Sequence, residues 1–218
     1  MNGNLAGRRI LVSAGPTYED IDPVLFIGNR SSGKMGFAIA AAAARAGADT
    51  VLVAGPVHLQ TPPGVRRIDV RSAAQLREAV LAALPADAYV AAAAVADWTP
   101  REVAPGKLKK QAGIDTLTLE LVRTADVLAE VAAHPRRPRL VLGFAAETGD
   151  VEANARAKLE AKQLDFIAAN CVGIAGSGFE SDDNALTVIG RETVRQLGPA
   201  PKTELAQSLI ELIAERLS

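Results

Sequence analysis

The sequence predicts a three-layer α/β fold with a mainly parallel sheet, and two observations lead to this prediction. Apolar runs of strand length alternate with amphipathic stretches of helix length along the 218 residues, which is the pattern of layered α/β proteins. No linker rich in Gly, Ser or charged residues interrupts this rhythm, and no internal repeat is visible. We therefore expect one Rossmann-like domain that spans residues 1–218.

The individual elements follow from the apolar runs and from the residues that begin or end helices. Strands are predicted near residues 9–13, 50–54, 66–70, 88–94, 139–144 and 165–169. Helices are predicted near residues 34–46, 73–84, 125–133, 150–163 and 203–217. The first helix should end at Gly47, and N-terminal caps are expected at Ser72, Thr124 and Lys202–Thr203.

Two segments depart from the parallel pattern. Residues 116–122 alternate as TLTLELV, and residues 185–197 contain two short strand-like runs around Gly190-Arg191-Glu192. Such alternation and a central glycine are typical of hairpins. We expect both segments to form small antiparallel additions at the sheet edge.

The charge balance excludes several classes of partner. There are 24 basic and 25 acidic residues, for a net charge of -1, so neither nucleic acid nor an anionic membrane is an expected partner. No stretch approaches the roughly 20 apolar residues of a spanning helix. Residues 1–4 lack the apolar core of a signal peptide. We expect a cytoplasmic protein.

The counts of cysteine and histidine exclude a zinc site built from thiolates and imidazoles. The sequence has a single cysteine, Cys171, and two histidines, His58 and His134, so no thiolate or imidazole cluster can form. Any metal should be a hard ion such as Mg2+, bound by carboxylates and phosphates.

The segment Gly28–Gly36 is the best candidate for an anion site. It reads GNRSSGKMG and opens an Ala-rich helix. A helix N-terminus offers free N–H groups and a positive dipole end, and the two serines and Lys34 add donors. We expect a phosphate group to bind here.

Two nucleotide-binding motifs come close to this segment without matching it. Gly28–Lys34 fits G-x-x-x-x-G-K of a P-loop, but Met35 stands where that loop needs Ser or Thr to hold Mg2+. The segment also begins about fifteen residues after the first strand, whereas a P-loop follows its strand directly. No G-x-G-x-x-G follows the strand either. A helix cap without ligand remains an alternative.

Ligands of open parallel sheets bind at the carboxyl ends of the strands. The run 89–96 ends at Asp97, which can bind Mg2+ or a nucleotide hydroxyl, or can act as a turn acceptor. The alanines before it leave room for a nucleotide. The run 140–142 leads to Phe144 and Glu147, where Phe144 can contact a base or lie in the core, and Glu147 can fix a polar group or begin a helix.

Two groups of lysines can bind polyphosphate or can be solvated surface charges. Lys107, Lys109 and Lys110 follow a Pro-Gly pair, as in a mobile lid. Lys158 and Lys162 are spaced i, i+4 on one helix and share a face. They can clamp an anion or pair with neighbouring acidic residues.

Taken together, these motifs resemble the bacterial phosphopantothenoylcysteine synthetase family. The resemblance runs in order from residue 8 to about residue 217, and the joint order of the motifs is specific. The matching residues are Ala14–Thr17, Glu19, Ile21–Val24, Asn29, Ser31–Gly36, Ala93–Asp97, Lys107, Lys109, Lys110 and Gly143–Thr148. Later matching segments are Asp165–Asn170, Gly178–Phe179, Ser181–Asp182 and Asn184.

This resemblance implies a ligase of coenzyme A biosynthesis that joins 4'-phosphopantothenate to L-cysteine. In the family, CTP and the substrate carboxylate form an acyl-cytidylate with release of pyrophosphate, and the cysteine amine then displaces CMP. Mg2+ supports the first step. The family is usually a homodimer with its site near the subunit interface. In many bacteria the domain is fused to a flavin-dependent phosphopantothenoylcysteine decarboxylase.

The resemblance also assigns roles to individual residues. Asn29 and Lys107 are implied as catalytic residues, and Asp97 as the metal ligand. The implied nucleotide-binding residues are Ala91, Ala92, Ala93, Asp97, Lys107, Ala125, Asp126, Val127, Leu128, Phe144, Lys158 and Lys162. The implied substrate and phosphate pocket consists of Asn29, Ser31, Ser32, Gly33 and Met35.

Three positions depart from the family pattern, and two rival functions stay open on the residues alone. Leu25 replaces a frequent Arg, Gly28 a Ser or Thr, and Ala125 a common Pro. The rivals are an NAD(P)-dependent oxidoreductase, which lacks its glycine fingerprint here, and a non-catalytic nucleotide sensor. No side chain decides between CTP and ATP.

Overall fold

Twelve strands and five helices make up the part of the chain that the structure describes. This computed structural model describes residues 5–110, 115–147, 150–171 and 181–218. The strands are β1 (Arg9–Ala14), β2 (Tyr18–Asp20), β3 (Phe26–Gly28), β4 (Asp49–Ala54), β5 (Val65–Asp69), β6 (Ala88–Ala91), β7 (Trp98–Pro100), β8 (Leu121–Arg123), β9 (Leu140–Glu147), β10 (Phe166–Cys171), β11 (Asp183–Gly190) and β12 (Val194–Pro201). The helices are α1 (Lys34–Arg45), α2 (Ala73–Ala82), α3 (Val127–Ala132), α4 (Val151–Ala161) and α5 (Lys202–Leu217).

An eight-stranded sheet organises these elements. Its strand order is β12-β11-β10-β9-β6-β1-β4-β5. All pairs from β10 to β5 are parallel, and only the β11–β12 hairpin joins in antiparallel orientation. The predicted α/β fold with a mainly parallel sheet and an antiparallel edge addition is confirmed.

Helices cover both faces of this sheet, which makes the three layers. α1 and α5 pack on one face, with Ile10, Val12 and Leu52 of the strands below them. α2, α3 and α4 pack on the other face against Leu11 and Val51. Neighbouring residues of a strand thus enter opposite cores, because successive side chains point to opposite faces. Both faces are apolar because both are buried.

The predicted position of residues 116–122 at the edge of the main sheet is wrong. Within the described part of this segment only Leu121 and Val122 are strand, and they belong to β8, which pairs with β7 in a separate two-stranded sheet. Leu117 remains 64% exposed and Leu119 38% exposed. Alternation predicts a strand only where one face is buried, and this monomer offers these leucines no such face.

Helix starts show which cap predictions hold. Ser72 caps α2, since its hydroxyl accepts the Gln75 N–H and the Gln75 side chain accepts the Ser72 N–H, a capping box. The predicted caps at Thr124 and Lys202–Thr203 are wrong. Asp126 caps α3, and α5 begins after Pro201 without a side-chain cap. Asp can serve as well as Thr at such positions.

A few predicted positions cannot be compared with the structure. Thr148 and Gly178–Phe179 lie outside the described residues, as do the side chains of Glu147 and Cys171. Within the described ranges, no helix has both the length and the apolar composition that crossing a membrane requires.

Close packing of α1 on β1 requires a glycine at position 36. A Cβ built on Gly36 would lie 2.4 Å from the Ala14 Cβ, although alanine by itself favours a helix by about 1 kcal/mol over glycine. Overpacking in a core typically costs about 1–3 kcal/mol. We expect Gly36→Ala to lower the free energy of unfolding by about 1–2 kcal/mol in urea titrations.

Gly106→Ala is the matched control, because a Cβ built there meets no atom within 4 Å. It should change the free energy of unfolding by less than about 0.5 kcal/mol. Equal stability of the two variants would contradict the packing argument.

Candidate active site

The pairing of β1 with β6 continues past the carboxyl end of the sheet. The Ala92 N–H donates to the Ser13 carbonyl (3.0 Å), and the Ala94 N–H donates to the Gly15 carbonyl (2.8 Å). The Thr17 N–H returns to the Ala94 carbonyl (3.2 Å). Gly15 turns the chain with a φ of 80°, a conformation that side chains disfavour. The alanine run is thereby fixed as an extended floor with little side-chain volume.

Two threonines fix the end of this floor. The Ala96 N–H donates to the buried Thr17 hydroxyl (2.9 Å), and the Thr124 hydroxyl donates to the Ala96 carbonyl (2.6 Å). The Thr124 N–H also donates to the Asp97 carbonyl (3.0 Å). These bonds hold Asp97 beside the segment that leads into α3.

Two adjoining cavities open onto this floor, and Ala93 and Phe144 line both of them. The larger cavity has a volume of about 620 Å³ and the smaller about 160 Å³. Predicted residues around the larger cavity are Ala91, Ala93, Asp97, Ala125, Asp126, Val127, Leu128, Phe144 and Lys162. Predicted residues around the smaller cavity are Ser31, Ser32, Gly33, Met35, Ala92, Ala93 and Phe144.

The smaller cavity lies at the start of α1. Gly33 is the N-cap residue with a φ of 76° and without a side-chain cap bond. The first N–H groups of a helix have no acceptor inside the helix and lie at the positive end of its dipole. Ser31 accepts the Gly33 N–H (3.4 Å), and Lys34 pairs with Asp182 (2.7 Å). This end of the cavity is suited to an anion.

Asn29 lines neither cavity but is held beside the alanine run that forms their floor. It follows β3 directly, and its Nδ2 donates to the Ala94 carbonyl (3.1 Å). Ala94 is next to Ala93, which belongs to both cavities. The exposed amide of Asn29 is therefore held next to Ala93, the part of the alanine run that lines both cavities.

An ion pair forms part of the wall of the larger cavity. Lys162 Nζ lies 2.8 Å from Asp126 Oδ2, and Asp126 Oδ1 accepts the Ala129 N–H at the start of α3 (3.0 Å). Partial burial alone would raise the pKa of Asp126, but the hydrogen bonds from Lys162 and Ala129 prevail and lower it. The cavity thus presents an ionised carboxylate together with its lysine.

Several lining residues escaped the sequence prediction. In the larger cavity Ser13 Oγ and Tyr89 Oη form a buried hydrogen bond (2.9 Å), and burial raises the pKa of Tyr89 to about 12. Arg123 stacks over the exposed Trp98 ring, 5.7 Å from its centre. Tyr89 could have been recognised from the sequence as a candidate, because it is a polar-tipped side chain within an apolar run. Nothing in the spacing indicated Arg123, because it reaches Trp98 through the β7–β8 pairing.

The smaller cavity also receives side chains from distant parts of the chain. Lys202, the first residue of α5, is 6% exposed and donates to the Ser181 carbonyl. Burial lowers the pKa of Lys202, and nearby Lys34 adds to this shift. Asn184 of β11 lies beside it in the cavity wall. Sequence spacing could not predict these neighbours, because only the tertiary fold brings them to α1.

Asp97 is the one residue that the sequence analysis names as a metal ligand. Its carboxylate lines the larger cavity and has no hydrogen-bond partner among residues 5–110, 115–147, 150–171 and 181–218. Across those same ranges, no three His, Cys, Asp or Glu side chains gather into a metal-binding group. Mg2+ commonly uses one or two carboxylates plus ligand phosphates, so this donor set suits a metal that arrives with a nucleotide.

Three predicted site residues, Asn29, Lys107 and Lys158, do not line either cavity. Lys107 is exposed on the segment after Gly106, and Lys158 is exposed one turn before Lys162 on α4. The two lysines predicted to share a helix face therefore differ in placement. Only Lys162, at the C-terminal end of α4, reaches the cavity.

Relatives of known name match nearly the whole chain. The family model of the DNA/pantothenate metabolism flavoprotein C-terminal domain matches residues 5–217. The coenzyme A biosynthesis bifunctional protein CoaBC of Vibrio cholerae is 51% identical over 98% of this chain and 54% of its own length. CoaBC of Escherichia coli is 48% identical over 95% of this chain and 52% of its own length. The chain thus spans about half the length of the curated relatives it matches.

Solved structures agree with this match. The crystal structure of the C-terminal domain of CoaBC has a TM-score of 0.82 at 37% identity, and the match covers 99% of this chain and 97% of that one. A mutant of Cab2 in complex with phosphopantothenate-cysteine shares the fold, with a TM-score of 0.75 at 14% identity over 96% of this chain and 86% of that one. The predicted family resemblance is confirmed: the chain belongs to the DNA/pantothenate metabolism flavoprotein C-terminal domain family.

Proposed function

We propose that this chain is a phosphopantothenate–cysteine ligase that acts as one domain over residues 1–218. It joins 4'-phosphopantothenate to L-cysteine with CTP as co-substrate. The coenzyme A biosynthesis proteins among its relatives support the pathway. The arrangement of the two cavities supports the chemistry.

The observation that carries this proposal is the shared wall of the cavities. Ala93 and Phe144 line both, and the Asn29 amide donates to the carbonyl of Ala94, the neighbour of Ala93. A ligase of this kind must bring a nucleotide and a phosphorylated acid together end to end. The larger cavity suits the nucleotide, the smaller cavity suits the phosphorylated acid, and the reacting groups then meet beside Asn29.

The proposed reaction has two displacements. A carboxylate oxygen of phosphopantothenate attacks the α-phosphorus of CTP, and the bond to the leaving pyrophosphate breaks. The cysteine amine then attacks the acyl carbon, CMP leaves with the electron pair of the broken C–O bond, and the amine loses a proton as the amide forms. Negative charge spreads over phosphate and carboxylate oxygens in both steps, so fixed donors supply most of the catalysis.

The protein groups in this proposal act by binding and orientation. Ser31, Ser32, Gly33 and Met35 at the start of α1 receive the phosphate end of phosphopantothenate. Asn29 orients the carboxylate and the acyl-cytidylate. The alanine floor, Ala125–Leu128, Phe144 and Lys162 receive the nucleotide. Lys158 lies outside this cavity wall and contributes at most through the field of its charge.

Mg2+ is part of the proposal as the partner of the nucleotide. Asp97 would hold it together with phosphate oxygens, since a hard cation with few protein ligands prefers such a set. When bound, the ion neutralises charge on the triphosphate. The chain's own contribution is to fix the Asp97 backbone through Thr124.

Lys107 takes part in the proposal as a residue of a segment that closes over the bound ligand. It is exposed and lies beyond both cavities, so a catalytic role requires the segment to move. Closing segments commonly complete a site in this way. Its ammonium group would then stabilise the charge that develops as CMP leaves.

A homodimer, a fused neighbour and a cytoplasmic location complete the proposal. Large apolar side chains are exposed in the β2–β3 turn (Val24) and on the β2–β3 and β7–β8 ladders (Phe26, Trp98 and Leu121), and β2 contacts β7. Such a patch favours burial against a second copy, and light scattering should give twice the chain mass.

Because the curated relatives are bifunctional and about twice as long, we also propose association with a flavin-dependent decarboxylase.

The test of the proposed function is pyrophosphate release from the purified protein. We expect release that requires Mg2+ and 4'-phosphopantothenate and is faster with CTP than with ATP. Addition of cysteine should yield CMP and the cysteine amide in equal amounts. Folded protein that releases no pyrophosphate with either nucleotide would contradict the proposal and favour a dinucleotide-binding or sensor function.

Substitution of the two proposed catalytic residues should separate the two steps. Asn29→Ala should lower the rate of acyl-cytidylate formation roughly a hundredfold, the usual loss when one fixed charge-stabilising donor is removed. Lys107→Ala should let the intermediate accumulate, because its second displacement slows. Rapid-quench analysis measures both, and normal turnover in both variants would rule out this assignment.

Lys162 should contribute to nucleotide affinity. Lys162→Met removes a cation and leaves the ionised Asp126 unpaired in the nucleotide cavity, where it repels a triphosphate. We expect the KM for CTP to rise about tenfold, which corresponds to about 1.4 kcal/mol of binding. Arg156→Met is the control, because Arg156 pairs with Glu152 elsewhere on α4. Equal KM values for the two variants would refute this role.

A further inference from the structure

A buried carboxylate joins two segments that carry the proposed catalytic residues. Asp22 is 1% exposed, and both of its oxygens accept backbone N–H groups. Oδ1 accepts from Val24 (2.6 Å) and Leu25 (2.7 Å). Oδ2 accepts from Leu108 (2.9 Å), which lies 86 positions further along the chain. One side chain therefore closes its own turn and also holds a distant segment.

The turn around Asp22 is well defined by its backbone. The N–H groups of Ile21 and Asp22 donate to the Leu25 carbonyl at 2.8 and 3.3 Å. Pro23 has no N–H and so needs no acceptor. Because Asp22 Oδ1 accepts the N–H groups of Val24 and Leu25, the carboxylate is held in place with Oδ2 toward the Leu108 N–H.

The distant segment is attached to this turn at two points. The Ala104 N–H donates to the Ile21 carbonyl (2.9 Å), and the Leu108 N–H donates to Asp22 Oδ2 (2.9 Å). Lys107 lies between these attachments, next to the second one. The Pro105-Gly106 pair beside it is thus attached at both ends, so the Lys107 segment moves together with the turn around Asp22.

The turn also leads into the strand that precedes Asn29, the other proposed catalytic residue. β3 begins one residue after Leu25, pairs with β2, and ends one residue before Asn29. A displacement of the turn would therefore move the backbone next to Lys107 and the strand that leads to Asn29.

We propose that Asp22 is a positioning residue that holds the Lys107 segment in register with Asn29. The catalytic part of this inference rests on the proposed ligase function. Asp22 does not line either cavity, so it acts through the backbone of Leu108 and of its own turn. Its role is to bring the lysine to the same edge of the alanine floor in every turnover.

The charge of Asp22 matters as much as its shape. The N–H of Leu108, followed by that of Leu25, lowers the pKa of Asp22, and the nearby Lys107 adds to this effect. The group is therefore ionised at neutral pH, and both oxygens act as acceptors. In an asparagine one of them becomes an NH2 group that faces N–H donors, so at least one donor loses its partner.

Asp22→Asn tests the proposal directly. We expect amide hydrogen exchange at residues 104–108 to accelerate about tenfold or more, because the Leu108 N–H loses its acceptor. The kcat of ligation should fall about tenfold or more, as small misplacements of a catalytic group cost such factors. The KM for CTP should stay within about twofold, because other elements build the nucleotide cavity.

Asp20→Asn is the matched control, with the same chemical change two residues earlier. Asp20 pairs with Arg71 on the surface, and surface pairs contribute little to stability. In Asp20→Asn, amide hydrogen exchange at residues 104–108, the kcat of ligation and the KM for CTP should equal those of the unsubstituted protein. Wild-type loop exchange in Asp22→Asn would overturn the proposal, and so would a rise in KM without a fall in kcat.

A second variant tests the contact from the loop side and covers the case in which Asp22→Asn does not fold. Leu108→Pro removes the N–H that reaches Asp22 together with the leucine side chain and restricts the local backbone, and Val103→Pro is the control that introduces the same restriction in the same segment. Leu108→Pro should reproduce the loss in kcat; a normal kcat would overturn the proposal. If the unsubstituted protein ligates nothing, the exchange data still decide whether Asp22 holds the segment, which separates this inference from the proposed function.

Discussion

The site depends on the backbone pairing that extends β1 and β6 beyond the sheet. Without the bonds between Ser13–Thr17 and Ala92–Ala96, the chain would leave the sheet at Ala91 and no floor would separate the two cavities. This pairing is possible because alanine side chains let two backbones run side by side next to α1. It also supplies the carbonyl of Ala94 that holds Asn29. A short backbone pairing between segments that are far apart in the sequence thereby defines the geometry of an extended site.

Three buried polar side chains between residues 17 and 22 attach this floor to the rest of the molecule. Thr17 accepts the Ala96 N–H, Glu19 the Ala73 N–H at the start of α2, and Asp22 the Leu108 N–H. A buried acceptor is costly unless it is paired, so each residue specifies one partner. Among the described residues no buried side-chain nitrogen or oxygen lacks a hydrogen bond. The segment thus acts as a polar connector between three parts of the chain.

The order of strands and helices was predictable because hydrophobic periodicity reports burial, and the sheet buries both faces. The prediction that residues 116–122 join the main sheet was wrong for the same reason, because the alternating leucines of this segment stay exposed. Local motifs likewise predicted the start of α1 and the residues around it. They did not predict Lys202 in the smaller cavity or the Lys162–Asp126 pair, because these contacts join elements whose relative positions only tertiary packing decides. Asp22 was visible as part of a motif, but its bond to Leu108 was not.

The shared wall of the two cavities has a consequence for how such a site can change over time. Of the residues that the structure describes, only Ala93 and Phe144 line both compartments, so most substitutions around one leave the other untouched. Under the proposed function, preference for a nucleotide base and preference for an acyl chain are then separable traits that can drift independently. Residues 93 and 144 are the exception. A change at either alters both compartments at once, which makes these two positions the most constrained in the site and the least available for new specificity.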